Sequence, residues 1–273
     1  MANKVVHGLV KPALTKWCLS DAIPQKWSLE KICGTAVELG VDAVECVVPE
    51  DFPTLKKYGL RSALTMSHMF IRCMNNRKFW PECLDAYRKS IDANAEYGFP
   101  NVITFWGFED TTSEGGSRVT MEEGKRNLVE GFKQIVGYAE KKKVTLCLES
   151  LNSRDPADMK GHPGYQGDHV EDCMDVIKAV GSPSLKLLFD FYHVQIMSGD
   201  LIRRIGEFGE YVAHVQAAGV PGRHELDGDQ EINFSAVLKA FARSGYRGHV
   251  GLEFLATRDP LQSLKETIAC FDV

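Results

Sequence analysis

Short apolar runs and longer amphipathic stretches alternate along the chain. Each short run is bounded by glycine, proline or polar residues, a pattern that predicts a buried β-strand. The stretches between them carry apolar residues every three or four positions, which is typical of α-helices with one buried face. The predicted strands span residues 17–20, 41–48, 61–69, 101–107, 143–152, 185–193, 212–219 and 249–254. The chain therefore has eight strand candidates, each followed by a helix candidate.

Cap residues mark several of the helix boundaries. Ser28 precedes an apolar-periodic run that stops at Gly40, which predicts a capped helix with a C-terminal glycine. Asn233 likewise predicts the start of a helix over residues 234–244. Residues 121–142 have the pattern of one long amphipathic helix.

The alternation of strands and helices favours one architecture. Eight such units in 273 residues fit a closed parallel barrel, because these barrels typically occupy about 250 residues as one domain and doubly wound sheets usually have fewer strands. The glycine-rich nucleotide motifs GxGxxG, GxxxxGKS and GxxxxGKT are absent from the sequence. We therefore predict an α/β protein, a single (β/α)8 TIM barrel over residues 1–273.

Polar side chains recur near the C-terminal ends of the last four predicted strands. In chain order these are Glu149, Asp190, His193, His214, Gln216 and Glu253. Period-two alternation places Glu149 on the strand face that points into the barrel, while its apolar neighbours face the helices. Because the active sites of such barrels lie at the C-terminal ends of the strands, we expect these side chains to form one polar cluster.

Several buried carboxylates that lie near one another require a compensating cation. A cluster rich in oxygen ligands favours Mn²⁺ or Mg²⁺, with Co²⁺ as a further candidate, over a structural zinc, which prefers thiolate and imidazole. Gln216 is the favoured ligand on its strand because it is nearer the barrel mouth. His214 is expected to pack or hydrogen-bond below it.

Each candidate also has a purely structural interpretation. Glu149 and Glu253 could be surface glutamates at strand ends, Asp190 could cap the following turn, and His193 could be a core histidine with its hydrogen bonds satisfied. Arg223 lies in a charged loop and could simply be solvated.

Two further side chains, His68 and Trp106, are candidates for lining a substrate pocket. His68 is retained as a substrate-binding candidate. The alternative for both is a place in the core, where strand residues of this kind are more often found.

Charge and cysteine usage exclude some classes of protein. A formal net charge of −5 argues against binding nucleic acid through a concentrated basic face. The eight cysteines show no CxxC spacing, which favours reduced core thiols. No leader or membrane span is evident, so a cytoplasmic location is expected, with neither a membrane nor nucleic acid as a partner. The sequence leaves the possibility of a homo-oligomer open.

Five segments together carry a family resemblance: ESLN around Glu149, FDFYH around Asp190, HVQ at 214–216, GVPGRHE at 219–225 and GLEF around Glu253. With these segments the chain resembles the hydroxypyruvate isomerase family, within the xylose-isomerase-like sugar isomerases and epimerases. The resemblance implies that Glu149, Asp190, Gln216 and Glu253 hold the metal and that Glu149 and Glu253 also move protons. It further implies that His193 and Arg223 contact substrate oxygens.

The activity implied by this resemblance is metal-dependent aldose–ketose isomerisation of a small α-hydroxycarbonyl acid or sugar, without a nucleotide or organic cofactor. One alternative is isomerisation or epimerisation of a larger sugar, although ketose 3-epimerases carry a histidine where this chain has Gln216. A nucleic-acid phosphodiesterase would need a histidine-rich centre of several metals. A non-catalytic sugar-binding protein would not need two carboxylates beside one metal.

Overall fold

Eight parallel strands close into a barrel in chain order, and the last strand pairs with the first. The computed structural model describes residues 10–67 and 70–271. The strands are β1 (Lys11–Thr15), β2 (Ala43–Val47), β3 (Arg61–Thr65), β4 (Asn101–Phe105), β5 (Thr145–Glu149), β6 (Leu185–Asp190), β7 (Val212–Ala217) and β8 (His249–Leu252). This topology confirms the predicted (β/α)8 fold.

Helices connect the strands around the outside of the barrel. The described residues contain α1 (Lys16–Ser20), α2 (Leu29–Glu38), α3 (Phe52–Lys57), α4 (Trp80–Tyr97), α5 (Met121–Lys133), α6 (Val136–Lys142), α7 (Val170–Val180), α8 (Phe191–Met197), α9 (Leu201–Phe208), α10 (Phe234–Ser244) and α11 (Pro260–Ala269). Ser28 accepts a hydrogen bond from the backbone N–H of Lys31, and Asn233 accepts one from Ala236. Both predicted N-caps are therefore confirmed.

The first strand was predicted in the wrong place. Residues 17–20 are helical, and β1 lies earlier, at Lys11–Thr15. Pro12 disfavours a central strand because it lacks a backbone donor. Here it precedes the pairing of β1 with β2, which begins at Leu14, so no hydrogen bond to β2 is lost.

Two helical segments also differ from the predictions. The helix expected over residues 121–142 is divided into α5 and α6, and Ile135 between them is buried. The apolar run 185–193 changes from strand to helix at Asp190, whose side chain accepts a hydrogen bond from the backbone N–H of Tyr192 and so caps α8. A strand followed directly by a helix cannot be separated from one long strand by apolar composition alone.

A local irregularity in β2 affects the side chains that enter the barrel. The register between β2 and β3 shifts on both sides of Glu45, and Cys46 has a φ of 52°. Such a bulge redirects side chains that would otherwise alternate between the two faces of a strand. None of the described helices is both long and apolar enough to cross a membrane.

Candidate functional site

Three predicted side chains, which come from two separate segments of the sequence, lie together at the C-terminal ends of β5 and β6. Glu149 is the last residue of β5, Asp190 is the last residue of β6, and His193 lies in the first turn of α8. One potential ligand atom from each lies within 4.8 Å of the others, and all three side chains are buried. The parallel barrel brings them together because it places every strand's C-terminal end on the same side.

Glu149 is the least compensated acid of the cluster. Its Oε1 atom is buried and has no hydrogen-bond partner among the described residues. Burial, followed by the charges of Glu253 and Asp190, raises the pKa of Glu149 well above its usual range. Without a bound metal ion, the folded protein therefore holds a proton on Glu149 more tightly than the unfolded chain does.

The two oxygens of Asp190 have different surroundings. Oδ1 accepts a hydrogen bond of 2.7 Å from the backbone N–H of Tyr192, so the predicted structural role as a cap is present. Oδ2 makes no hydrogen bond within the described part of the chain, and its distances to Nε2 of His193 and Nη2 of Arg223 are 3.6 Å and 3.9 Å. Burial and the charge of Glu253 raise the pKa of Asp190 to about 7.

His193 is held in one tautomer by Asn152. The Nδ1 atom of the imidazole accepts a 3.0 Å hydrogen bond from the backbone N–H of Asn152 and lies 2.8 Å from the side-chain amide nitrogen of the same residue. Burial lowers the pKa of His193 well below its usual value, so the ring is neutral and its proton resides on Nε2. A protonated Nε2 can donate to an oxygen but cannot bind a metal, which agrees with the predicted contact to substrate.

Glu253 lies just beyond β8, and both of its carboxylate oxygens accept hydrogen bonds. Oε1 accepts from Nε1 of Trp17 at 2.7 Å, and Oε2 accepts from Nη2 of Arg223 at 2.6 Å. Burial raises the pKa of Glu253, and the Arg223 guanidinium opposes that increase. The carboxylate keeps further lone pairs that could bind a metal or receive a proton.

Arg223 is 4% exposed, so the alternative that it is simply solvated is wrong. Its guanidinium lies between the rings of Trp17 and Tyr192, at 5.1 Å and 5.4 Å from their centroids. It also donates to the backbone oxygens of Met159 and Glu253. These contacts use three of its five N–H groups and leave two for a ligand.

Gln216 lies in register with Asp190 on the neighbouring strand β7. Its Nε2 atom donates to Oε1 of Glu45 at 3.1 Å, whereas its own Oε1 is buried without a hydrogen-bond partner in the described residues. His214, two residues earlier, hydrogen-bonds to Oε2 of Glu45. The predicted position of His214 below Gln216 is therefore confirmed.

A cavity of about 210 Å³ opens beside these residues. Its polar lining consists of Glu149, Glu253, Arg223 and His162. The apolar lining comes from Trp17, Cys46, Met66, Phe70, Ile103, Phe105, Leu151 and Met159. A larger groove of about 560 Å³, lined by residues 226–228, 230–235 and 269–270, contains none of the predicted site residues.

Sequence reasoning missed three residues of this site and proposed one, Trp106, that does not line the cavity. It did not identify Trp17, His162 or Glu45; Glu45 had the clearest signal, a charged residue inside the apolar run 41–48. Trp106 belongs to the core and does not line the cavity. His68 falls outside the described residues.

The residues present fit a divalent cation that prefers oxygen ligands. The buried side-chain atoms without a hydrogen-bond partner among the described residues include one oxygen from each of three predicted ligands: Glu149 Oε1, Asp190 Oδ2 and Gln216 Oε1. Buried polar atoms are normally hydrogen-bonded, so a group of such atoms at one site suggests a missing partner. Another acidic cluster, at Asp168, is partly exposed, and the side-chain oxygens of Asp168 already bond to Ser153 and His169.

The raised pKa of Glu149 predicts that, in metal-free protein, the difference in unfolding free energy between wild type and Glu149→Gln depends on pH. A carboxyl group that binds its proton more tightly in the folded state stabilises that state at low pH, and this contribution is lost as the pH rises through the folded-state pKa. Glu149→Gln removes this group, so the variant should gain stability relative to wild type by about 1.4 kcal/mol per pH unit until that pKa is reached. Urea denaturation with excess chelator at pH 6, 7 and 8 measures the difference. A difference that is independent of pH would show that Glu149 is not protonated in the folded protein.

Comparisons with known proteins show the family of this chain. A family model described as "Xylose isomerase-like TIM barrel" matches residues 33–272. A putative hydroxypyruvate isomerase from Homo sapiens is 29% identical over 184 residues, which cover 66% of this chain and 64% of the human protein. The match therefore spans slightly less than two thirds of that relative.

A longer match and a solved structure extend the comparison. A 2-oxo-tetronate isomerase from Haemophilus influenzae is 28% identical over 234 residues, which cover 80% of this chain and 84% of the relative. The crystal structure of an AP endonuclease, family 2, from Brucella melitensis superposes with a TM-score of 0.78 at 24% identity, over 93% of this chain and 96% of that one. At this identity, the structural match supports the fold alone.

Proposed function

Because this chain belongs to the xylose isomerase-like TIM barrel family, we propose that it is a metal-dependent isomerase that interconverts the aldose and ketose forms of a short α-hydroxycarbonyl acid. The observation that carries the proposal is the group of three buried oxygens, from Glu149, Asp190 and Gln216, that have no hydrogen-bond partner among the described residues. The names of the human and Haemophilus influenzae relatives support the reaction class.

The proposed ligands of one divalent ion are Glu149, Asp190, Gln216 and Glu253. Mn²⁺ and Mg²⁺ suit this oxygen set best, and Co²⁺ is a further candidate. When bound, the ion supplies the positive charge that acidifies a C–H bond next to a carbonyl group and stabilises the resulting enediolate. No nucleotide or organic cofactor enters the proposal.

Glu149 and Glu253 transfer the proton between neighbouring carbons. They come from β5 and the end of β8, three strands apart in the ring, so the two carboxylates approach a bound substrate from different sides. One carboxylate removes a proton from the carbon that bears hydrogen, and the other delivers a proton to the adjacent carbon. The hydroxyl proton moves to the former carbonyl oxygen, so the reaction gains and loses no protons overall. The neutral imidazole of His193 donates from Nε2 to a substrate oxygen and keeps it oriented.

Arg223 makes an acid the preferred substrate. It retains two N–H groups beside the cavity, and charge-assisted hydrogen bonds from a guanidinium to a carboxylate are among the strongest that proteins form. Hydroxypyruvate and 2-oxo-tetronate, which appear in the names of the relatives, both offer such a carboxylate. The cavity of about 210 Å³ is also smaller than the roughly 300–1,000 Å³ typical of pockets for larger ligands.

The apolar wall of the cavity makes a ketohexose the weaker candidate. Met66, Phe70, Ile103 and Phe105 offer no side-chain hydrogen bonds to the distal hydroxyls of a six-carbon sugar. Burying those hydroxyls without partners costs binding free energy. A nucleic-acid phosphodiesterase fits less well, because the only histidine in the Glu149 cluster as described is held as a donor and the chain carries a net charge of −5.

Rates on a small panel of substrates test the proposed class. With Mn²⁺ present, we expect kcat/KM on hydroxypyruvate or 2-oxo-tetronate to exceed that on D-fructose by roughly tenfold to a hundredfold, the usual worth of a charge-assisted contact. Product formation can be followed by proton NMR. A higher kcat/KM on the neutral ketose would instead favour a sugar epimerase or isomerase.

A further inference from the structure

We infer that Glu45 is a positioning residue, which orients the side-chain amide of Gln216 so that its oxygen faces the proposed metal. The inference rests on the proposed function, because it assigns a task to a residue behind one of the proposed ligands. Glu45 is fully buried on β2. In the ring of strands, β1 lies between β2 and β8. Glu45 is not one of the proposed ligands.

The amide of Gln216 is held through its nitrogen. Nε2 donates to Oε1 of Glu45 at 3.1 Å and lies 3.6 Å from Sγ of Cys46. These two acceptors use both N–H groups of the amide, so its oxygen points the opposite way. Like Oε1 of Glu149 and Oδ2 of Asp190, that oxygen is buried without a hydrogen-bond partner in the described residues.

Glu45 is itself fixed from two other strands. Thr15 on β1 donates to Oε1 of Glu45 at 2.6 Å, and His214 on β7 hydrogen-bonds to Oε2. With Gln216 included, the side chain of Glu45 receives three hydrogen bonds from three different residues. A carboxylate that accepts only from fixed donors cannot rotate away without leaving buried donors unpaired.

Two features of the backbone make room for this arrangement. A Cβ atom at Gly251 on β8 would lie 1.9 Å from Oε1 of Glu45, so only glycine fits there. The bulge in β2 directs two consecutive residues, Glu45 and Cys46, to the same amide, which regular strand alternation would forbid.

The orientation matters because an amide presents different charges at its two ends. If the Gln216 amide were rotated by half a turn, its oxygen would face the carboxylate of Glu45 and its NH₂ group would face the cation. Both contacts would be repulsive. Glu45 therefore acts on the metal through Gln216, as residues behind metal ligands commonly do.

The test is a titration of chelator-treated protein with Mn²⁺, in which free Mn²⁺ is measured by electron paramagnetic resonance. Relative to wild type, Glu45→Gln should raise the Mn²⁺ dissociation constant roughly tenfold to a hundredfold, the usual effect of losing such a supporting contact. Glu45→Gln retains the size of the side chain but replaces one of the two acceptor oxygens with an NH₂ group, so it cannot accept all three hydrogen bonds that Glu45 receives. The visible absorption spectrum of the Co²⁺-loaded variant should also change, because one ligand is less well oriented.

Testing Glu45→Gln in Gln216→Ala protein distinguishes a positioning role of Glu45 from a general loss of structure. In Gln216→Ala protein, adding Glu45→Gln should change the Mn²⁺ dissociation constant by no more than about twofold, because the residue through which Glu45 acts is gone. Glu225→Gln is the matched control: Glu225 is also a buried glutamate, hydrogen-bonded by Thr257 and Ser263, but it does not line the cavity. Its replacement should leave Mn²⁺ binding unchanged.

Thr15→Val covers the case in which Glu45→Gln does not fold, because it removes only one donor to Glu45. We expect a weakening of Mn²⁺ binding in the same direction that is smaller than that caused by Glu45→Gln. The inference would be overturned if neither variant changed the Mn²⁺ dissociation constant. It would also be overturned if Glu45→Gln changed that constant equally in wild-type and Gln216→Ala protein. Either result would leave the proposed function standing. Failure of the wild-type protein to bind Mn²⁺ would overturn both.

Discussion

Replacing Glu149 or Glu253 with glutamine should lower kcat roughly 10²–10⁴-fold, the usual contribution of a general acid or base. Glutamine keeps a side-chain oxygen in nearly the same position, so a metal could still bind, but it cannot accept and return a proton. The loss should therefore appear in kcat measured at saturating Mn²⁺ on the best substrate of the panel. The Mn²⁺ dissociation constant of each variant, measured separately, distinguishes the loss of a proton carrier from the loss of a ligand.

Glu225→Gln provides the control for this comparison as well. It replaces a buried glutamate of the same barrel face at a position away from the cavity, and its kcat should stay close to that of wild type. If Glu149→Gln or Glu253→Gln retained near-wild-type turnover while folding normally, the transfer of a proton by two carboxylates would be wrong. A loss limited to one of the two would assign both proton transfers to that residue.

Exhaustive chelation should abolish turnover, and Mn²⁺, Mg²⁺ or Co²⁺ should restore it. The physical reason is that Glu149, Asp190 and Glu253 have raised pKa values in the metal-free structure, largely because of burial, and need a cation to be ionised together. Binding should also stabilise the folded protein, by about 2.7 kcal/mol at a free metal concentration one hundred times the dissociation constant. Turnover and thermal denaturation can be followed on the same samples.

Asp190→Asn tests whether metal binding stabilises the protein by relieving repulsion among the buried acids. It removes one of the three acids, so metal-free Asp190→Asn should lose less stability than wild type when the pH is raised from 5 to 7, which lies below the folded-state pKa of about 7 for Asp190. The variant should also gain less stability from added Mn²⁺. Undiminished turnover in protein shown by elemental analysis to be free of metal would contradict the proposed role of the cation.

The sequence predicts much of the barrel because several strands are short apolar runs that end in a charged residue. Glu149 and Glu253 each follow a short apolar run, and a charged residue in that position has few structural explanations. Asp190 is harder, because it both caps α8 through Oδ1 and faces the cluster through Oδ2. The structural prediction for Asp190 is therefore confirmed, whereas its role as a metal ligand stays a prediction.

The parts that the sequence does not predict depend on contacts between distant segments. The tautomer of His193 is set by Asn152, which lies 41 positions away in the sequence. The hydrogen bond between Glu45 and Gln216 joins residues 171 positions apart. The bulge that directs Glu45 and Cys46 to the same amide leaves no pattern in the apolar run 41–48. Position along a strand can be inferred from periodicity, whereas register between strands and the hydrogen bonds it creates require the assembled barrel.

Isomerisation of hydroxypyruvate in D₂O tests the central claim most directly. If one carboxylate removes a proton and a second delivers another, the hydrogen at C2 of the tartronate semialdehyde product comes from solvent, and NMR of product trapped early should show deuterium at that carbon. A protein-free sample and Glu253→Gln correct for spontaneous exchange. Product that forms at the enzymatic rate but carries at C2 the hydrogen that began on C3 of the substrate would contradict the account. That hydrogen would have moved by a hydride shift or through a single shielded base, and not through two glutamates that exchange with solvent.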